Sequence, residues 1–123
     1  MAVNESAENY LETILMLSKT RPVVRSVDIA EELGFKKSSV SVAMKNLREK
    51  EHITVTKEGF IYLTDSGRQI AETIYERHEF LSKWLISMGI DAETASNDAC
   101  RMEHVISPQS FAAIKSFVQK KRN

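Results

Sequence analysis

Between positions 64 and 88 the chain reads TDSGRQIAETIYERHEFLSKWLISM, uninterrupted by proline, and this stretch limits the fold more than any other. Thr64 can cap the free N–H groups of a first turn, Asp65 suits the positive end of a helix, and Gly89 breaks the helix after Met88. Ile70, Ile74, His78, Leu81, Leu85 and Met88 recur every three or four residues and therefore share one stripe. At 1.5 Å per residue such a helix is roughly 37 Å long, enough to connect two functions. A histidine stands in the middle of its apolar stripe.

Upstream, 5–18 reads as a helix with Tyr10 or Leu11, Ile14, Leu15 and Leu17 on an apolar face, and with Glu5, Glu8, Asn9 and Glu12 on the polar side. Pro22 ends it, because proline cannot continue the hydrogen-bond ladder and restricts Arg21. A short helix capped by Ser26 follows, with Val27, Ile29, Ala30 and Leu33 as its apolar contacts, and Gly34 marks its stop. The next helix starts near Lys37 or Ser38 and turns Val40, Ala43, Met44 and Leu47 inward. Helix, glycine-containing turn, helix is the helix-turn-helix pattern. The period then changes to two: 52–56 and 60–63 alternate, with Ile53, Val55, Ile61 and Leu63 on one face and Lys57, Glu58 and Gly59 as the connection. A hairpin directly after such a helix is a wing.

Downstream of Gly89, a helix runs from about 91 to 106, and Ser107-Pro108 is a strong start signal for a last one carrying Phe111, Ile114, Phe117 and Val118. Three helices in about sixty residues bury little surface for their length. Trp84, Leu85, Met88, Ile90, Met102, Val105, Phe111 and Phe117 supply more apolar material than one thin layer needs. Packing against a second copy is the economical solution, and a two-fold dimer would set two reading helices at the spacing of a palindromic DNA site. The fold expected is mostly α with a small β-hairpin: a winged helix-turn-helix head over 1–63 and a helical dimerisation domain over 64–123.

Net charge is zero, but charge is unevenly placed. Lys36, Lys37, Lys45, Arg48 and Lys50 face one acid, Glu49, whereas 65–103 holds eight acids against four Lys and Arg. A local basic patch can steer one face toward DNA. Lys37, Ser38, Ser39, Ser41 and Val42 occupy the start of the second helix, the part that enters the major groove. Lys36, Lys37 and Lys45 would neutralise phosphates, and Thr54, Thr56 and Lys57 on the wing could reach the backbone or the minor groove. Winged helices also mediate protein–protein contacts, so a basic run alone leaves both readings open. A single cysteine, Cys100, permits no internal disulfide and argues for a reducing compartment, the cytoplasm. No secretion-signal pattern and no run of eighteen apolar residues is present, so no membrane association is expected.

Cys100, Glu103 and His104 are spaced by three and four, which puts a thiolate, a carboxylate and an imidazole on one helix face. His78 can complete the set if the two helices pack side by side, and Glu12, with Asn9 one turn earlier, could close it. The competing reading is a small buried cysteine and a hydrogen-bonded core histidine. Catalysis finds no support: the second histidine of H-E-x-x-H is missing after His78-Glu79, there is no phosphate loop, and nothing points to a small organic substrate.

SVDIAEELGFKKSSVSVAMKNLREKEHI, the wing, LTDSGRQIA, the pair Arg77-His78 and ACRMEHVIS resemble, in that order, the metal-dependent repressors of the diphtheria toxin repressor and manganese transport regulator family. The likeness covers nearly the whole chain, in the short two-domain form that lacks an SH3-like third domain. It implies a homodimeric transcriptional repressor of metal-uptake genes, with Mn²⁺ or Fe²⁺ bound where head and dimerisation domain meet and promoting operator binding. Residue by residue, the resemblance makes Glu12, His78, Cys100, Glu103 and His104 the metal ligands. Cys100 stands where iron-responsive members have cysteine and manganese-responsive ones glutamate. Asn9 departs from the aspartate or methionine of the family, and Ser82 and Ser96 replace the glutamate and histidine of an ancillary site. One metal site, with Asn9 as an optional carbonyl donor, is expected. A thiolate among carboxylates and imidazoles moves preference from manganese toward Fe²⁺, Co²⁺ or Zn²⁺. A metal-independent winged-helix regulator and a metal-binding structural dimer remain the alternatives.

Overall fold

A computed structural model describes residues 5–122. Six helices and one hairpin follow in the order α1 (Glu5–Ser18), α2 (Ser26–Leu33), α3 (Lys37–Glu49), β1 (Ile53–Val55), β2 (Ile61–Leu63), α4 (Asp65–Ser87), α5 (Ala92–Val105) and α6 (Pro108–Arg122). The chain divides into two compact units after Glu72, within α4.

In the first unit α1 buries Tyr10, Leu11, Ile14, Leu15 and Leu17, the face its spacing indicated, together with Thr13. Thr13 is tolerated there because its Oγ1 donates to the Asn9 carbonyl at 2.8 Å. The start of α2 lies one residue from the expected cap: Ser26 is already helical, and the Asp28 carboxylate accepts the Arg25 N–H at 2.9 Å. Gly34 closes α2 in the left-handed region (φ 68°), donating back to the Ala30 carbonyl. α3 turns Val40, Met44 and Leu47 into the core. β1 and β2 pair antiparallel with Ile53 opposite Leu63 and Val55 opposite Ile61, so the alternating apolar positions share a face. The Ile61 N–H donates to the Val24 carbonyl at 2.8 Å, which ties the wing to the segment before α2.

The end of α3 is locked to the start of α4. Glu51 adopts a positive φ of 63°, and its carbonyl accepts from Thr64 Oγ1 at 2.7 Å and Ser66 Oγ at 3.3 Å. Thr64 also caps α4, accepting the Gly67 N–H at 3.2 Å. Gly67 is buried against the His52 carbonyl, where a Cβ would overlap the oxygen.

In the second unit Leu81, Ala99 and Phe111 form the core, with Phe80, Trp84, Met102 and Ile106 packed against them. Phe80 and Phe111 meet edge to face at 5.6 Å. Asp91 caps α5 by accepting the Thr94 N–H, and Ser107 Oγ accepts the Ser110 N–H at 3.0 Å at the head of α6. Part of the surplus apolar material lies outside this core: Met88 falls beyond the helix end and is 56% exposed, and Phe117 is 61% exposed. Ile86 and Val105 are exposed as well, so the second unit presents apolar surface that its own three helices leave uncovered. No helix of the described residues is long and apolar enough to cross a membrane.

Candidate metal centre and nucleic-acid interface

Along α5 the buried stripe is Ala95, Ala99 and Glu103, each fully inaccessible. Two alanines one turn apart leave room for α4 to approach, and the third position of the same stripe carries a carboxylate instead of a methyl group. Glu103 Oε2 lies 3.1 Å from His78 Nδ1 on α4, and Oε1 lies 3.5 Å from His104 Nε2 on α5. Oε1 is buried and accepts no hydrogen bond from the protein. One donor atom each from Cys100, Glu103 and His104 lies within 4.8 Å of the others. Cys100 is exposed, which removes the reading of a buried, inert thiol, while the His104 side chain is almost wholly covered.

His78, Cys100, Glu103 and His104 thus all belong to the second unit. Glu12 and Asn9 lie on α1 in the first, both half-buried. Ser82 and Ser96 are half-buried on α4 and α5.

Arg77 went unassigned in the sequence. Its Nη1 donates to the Glu103 and Ile106 carbonyls, 3.0 Å each, and its guanidinium lies over the Phe111 ring. The last carbonyls of a helix have no partner within it, so Arg77 fixes the end of α5 that carries Glu103 and His104. The available signal was its place in the apolar stripe of α4, three residues after Ile74 and four before Leu81.

In the first unit Lys36, Lys37, Ser38, Ser39, Ser41, Val42 and Lys45 are all exposed at and after the start of α3, opposite its buried stripe. On the wing Lys57 is exposed, whereas Thr56 is half-buried and its Oγ1 accepts the Phe60 N–H at 3.0 Å, so that hydroxyl shapes the turn.

A helix-turn-helix with an open basic face, a wing, and a separate helical unit holding a thiol, a carboxylate and two imidazoles define a metal-linked DNA-binding regulator. Residues 2–59 match the iron dependent repressor N-terminal DNA binding domain, and residues 64–123 match the iron dependent repressor metal binding and dimerisation domain. The chain is 35% identical to the HTH-type transcriptional regulator MntR of Bacillus subtilis (strain 168) over 93% of its own length and 80% of that protein's. It is 31% identical to an uncharacterized HTH-type transcriptional regulator of Methanocaldococcus jannaschii, covering 96% of each chain. A manganese-dependent transcriptional repressor in complex with manganese superposes with a TM-score of 0.84 at 27% identity, over 92% of this chain and 52% of that one. The chain belongs to the diphtheria toxin repressor and manganese transport regulator family of metal-dependent transcriptional repressors. It carries a DNA-binding domain and a metal-binding and dimerisation domain, in a family of transcriptional regulators rather than enzymes.

Proposed function

We propose that the chain represses metal-uptake genes in the cytoplasm, binding a palindromic operator as a homodimer when His78, Cys100, Glu103 and His104 hold a divalent cation. The observation that carries this reading is the buried Glu103 carboxylate, set between two imidazoles with Oε1 lacking any hydrogen bond. A buried carboxylate oxygen that accepts no hydrogen bond costs roughly several kcal/mol. A cation-sized partner is the usual remedy. Ligands about 2.0–2.3 Å from one ion lie roughly 3–4.6 Å from each other, and one donor atom each from Cys100, Glu103 and His104 lies within 4.8 Å of the others. Bound there, a divalent cation would offset the charge of the thiolate and carboxylate and hold the donors at fixed separation.

The protein's part is positioning. Arg77 holds the carbonyls at the end of α5, and the Ala95–Ala99 stripe keeps that helix close to α4. Sequence resemblance adds Glu12 as a carboxylate ligand and Asn9 as a neutral carbonyl donor. The functional division proposed is a winged helix-turn-helix domain over 1–63 and a metal-binding, dimerising domain over 64–123. With a thiol in the donor set, Fe²⁺ suits the site better than Mn²⁺, and Co²⁺ or Zn²⁺ would compete.

Cobalt(II) gives a direct test. The full chain titrated with Co²⁺ should develop a near-ultraviolet sulfur-to-metal band that Cys100→Ser abolishes, and Glu103→Gln should weaken the titration. Spectra identical in wild type and both variants would overturn the assignment.

A further inference from the structure

One feature of the reading helix is neither basic nor polar. Val42 is the sixth residue of α3 and is 61% exposed. It lies two residues from both Val40 and Met44, hence roughly 200° around the helix from that buried pair. Ser38 precedes it by four residues and Lys45 follows by three, so the three side chains form one outward row. Ser38, Ser39 and Ser41 are small, which leaves the isopropyl group standing proud of the surface. Lys36, Lys37 and Arg48, all exposed, join Lys45 in giving this helix a positive charge that suits a phosphate backbone.

We infer that Val42 is a specificity-determining residue that reads the C5-methyl group of one thymine in each operator half-site. The inference rests on α3 being the helix that enters the major groove. The chemistry leaves few choices for an isopropyl group there. Among the base edges facing the major groove, only thymine presents an apolar group; the others present hydrogen-bond donors and acceptors. Val42 pressed against guanine, adenine or cytosine would strip water from those groups and return no hydrogen bond. Against the thymine methyl both partners bury apolar surface. The flanking serines, able to donate or accept with any base, discriminate less, and Lys45 is placed for phosphate.

The experiment selects a preferred duplex from random DNA with the full chain and Mn²⁺ or Fe²⁺, then replaces each thymine in turn by deoxyuridine. That exchange removes only the methyl group and keeps base pairing. Wild type should lose about fourfold in affinity per half-site at one thymine position, the worth of one buried methyl group. Val42→Ala, which favours helix and leaves the core alone, should show no loss at that position while retaining the sensitivity of wild type elsewhere. Specific binding that no deoxyuridine weakens, or a loss that persists unchanged in Val42→Ala, would overturn the inference and leave α3 as the DNA-binding helix. Failure to bind any duplex under either cation would overturn the DNA-reading assignment itself, and this inference with it.

Discussion

Glu103 Oε2 lies 3.1 Å from His78 Nδ1, joining a fully buried carboxylate on α5 to a quarter-exposed imidazole on α4, 24% accessible. Such a residue is a poor choice for packing alone. An apolar side chain of similar volume would fill the same space with no charge to compensate. Glu103→Gln therefore separates fold from function. Divalent-cation affinity should fall at least about a hundredfold, more than loss of an outer hydrogen-bond partner usually costs. Stability of the metal-free protein should change by less than about 1 kcal/mol, or rise. Competition against a chelating fluorophore and urea unfolding in chelator measure the two, and unchanged cation affinity would refute the role given to Glu103.

Arg77 binds two carbonyls at the end of α5 with one nitrogen. Arg77→Ala leaves both without that donor, and the loss of charge-assisted hydrogen bonds should lower metal-free stability by about 2–3 kcal/mol. Arg77→Lys should recover only part of this, because an ammonium lacks the planar fork. Urea denaturation within about 0.5 kcal/mol of wild type for the alanine variant, the usual range for a surface change, would show that the clamp contributes nothing.

Gly67 has no room for a methyl group beside the His52 carbonyl. Gly67→Ala should cost about 2 kcal/mol through forced backbone movement, read as a lower melting temperature. It should weaken operator binding as well, since the displaced segment adjoins the end of the reading helix. An unshifted melting temperature would mean that the junction yields freely.

Asp91 supplies a pH-dependent contribution. Hydrogen bonding from the Thr94 backbone N–H, then from the Thr94 side chain, holds its carboxyl below the ordinary value of 3.8. A carboxyl lowered on folding stabilises the fold above its unfolded value, and that contribution disappears as pH falls through the lowered one. Asp91→Ala should thus melt below wild type at neutral pH, with the gap narrowing once the pH drops under about 3.8. Thermal melts from pH 7 to pH 2.5 follow it, and a gap constant across that range would count against the cap.

Local signals carried most of the fold. The apolar face of α1, the Gly34 turn, the alternation of the wing and the Ser107-Pro108 start each depend on neighbours within a few residues. The differences arise at helix ends and where a distant partner decides the outcome. Ser26 looked like the cap of α2, but the Asp28 carboxylate reaches back to Arg25 and moves the start. Met88 continues the helical spacing and Gly89 is the expected break, but the turn at Gly89 (φ 95°) already takes in Met88, so α4 ends at Ser87. Arg77 had no visible role because its acceptors lie 26 and 29 residues further on. At the site, spacing alone put Cys100, Glu103 and His104 on one face. Spacing could not show that Glu103 shares a fully buried stripe with Ala95 and Ala99.

Under the proposed function, occupancy of the site by a divalent cation licenses operator binding. The most direct measurement is fluorescence anisotropy of a selected operator duplex, titrated with the full chain at fixed salt in chelator, in Mn²⁺ and in anaerobic Fe²⁺. For wild type, at least one cation should tighten binding by about tenfold or more, within the usual range of coupling between two sites, and His104→Ala should bind as wild type does in chelator. Equal operator affinity in chelator and in both cations would contradict it.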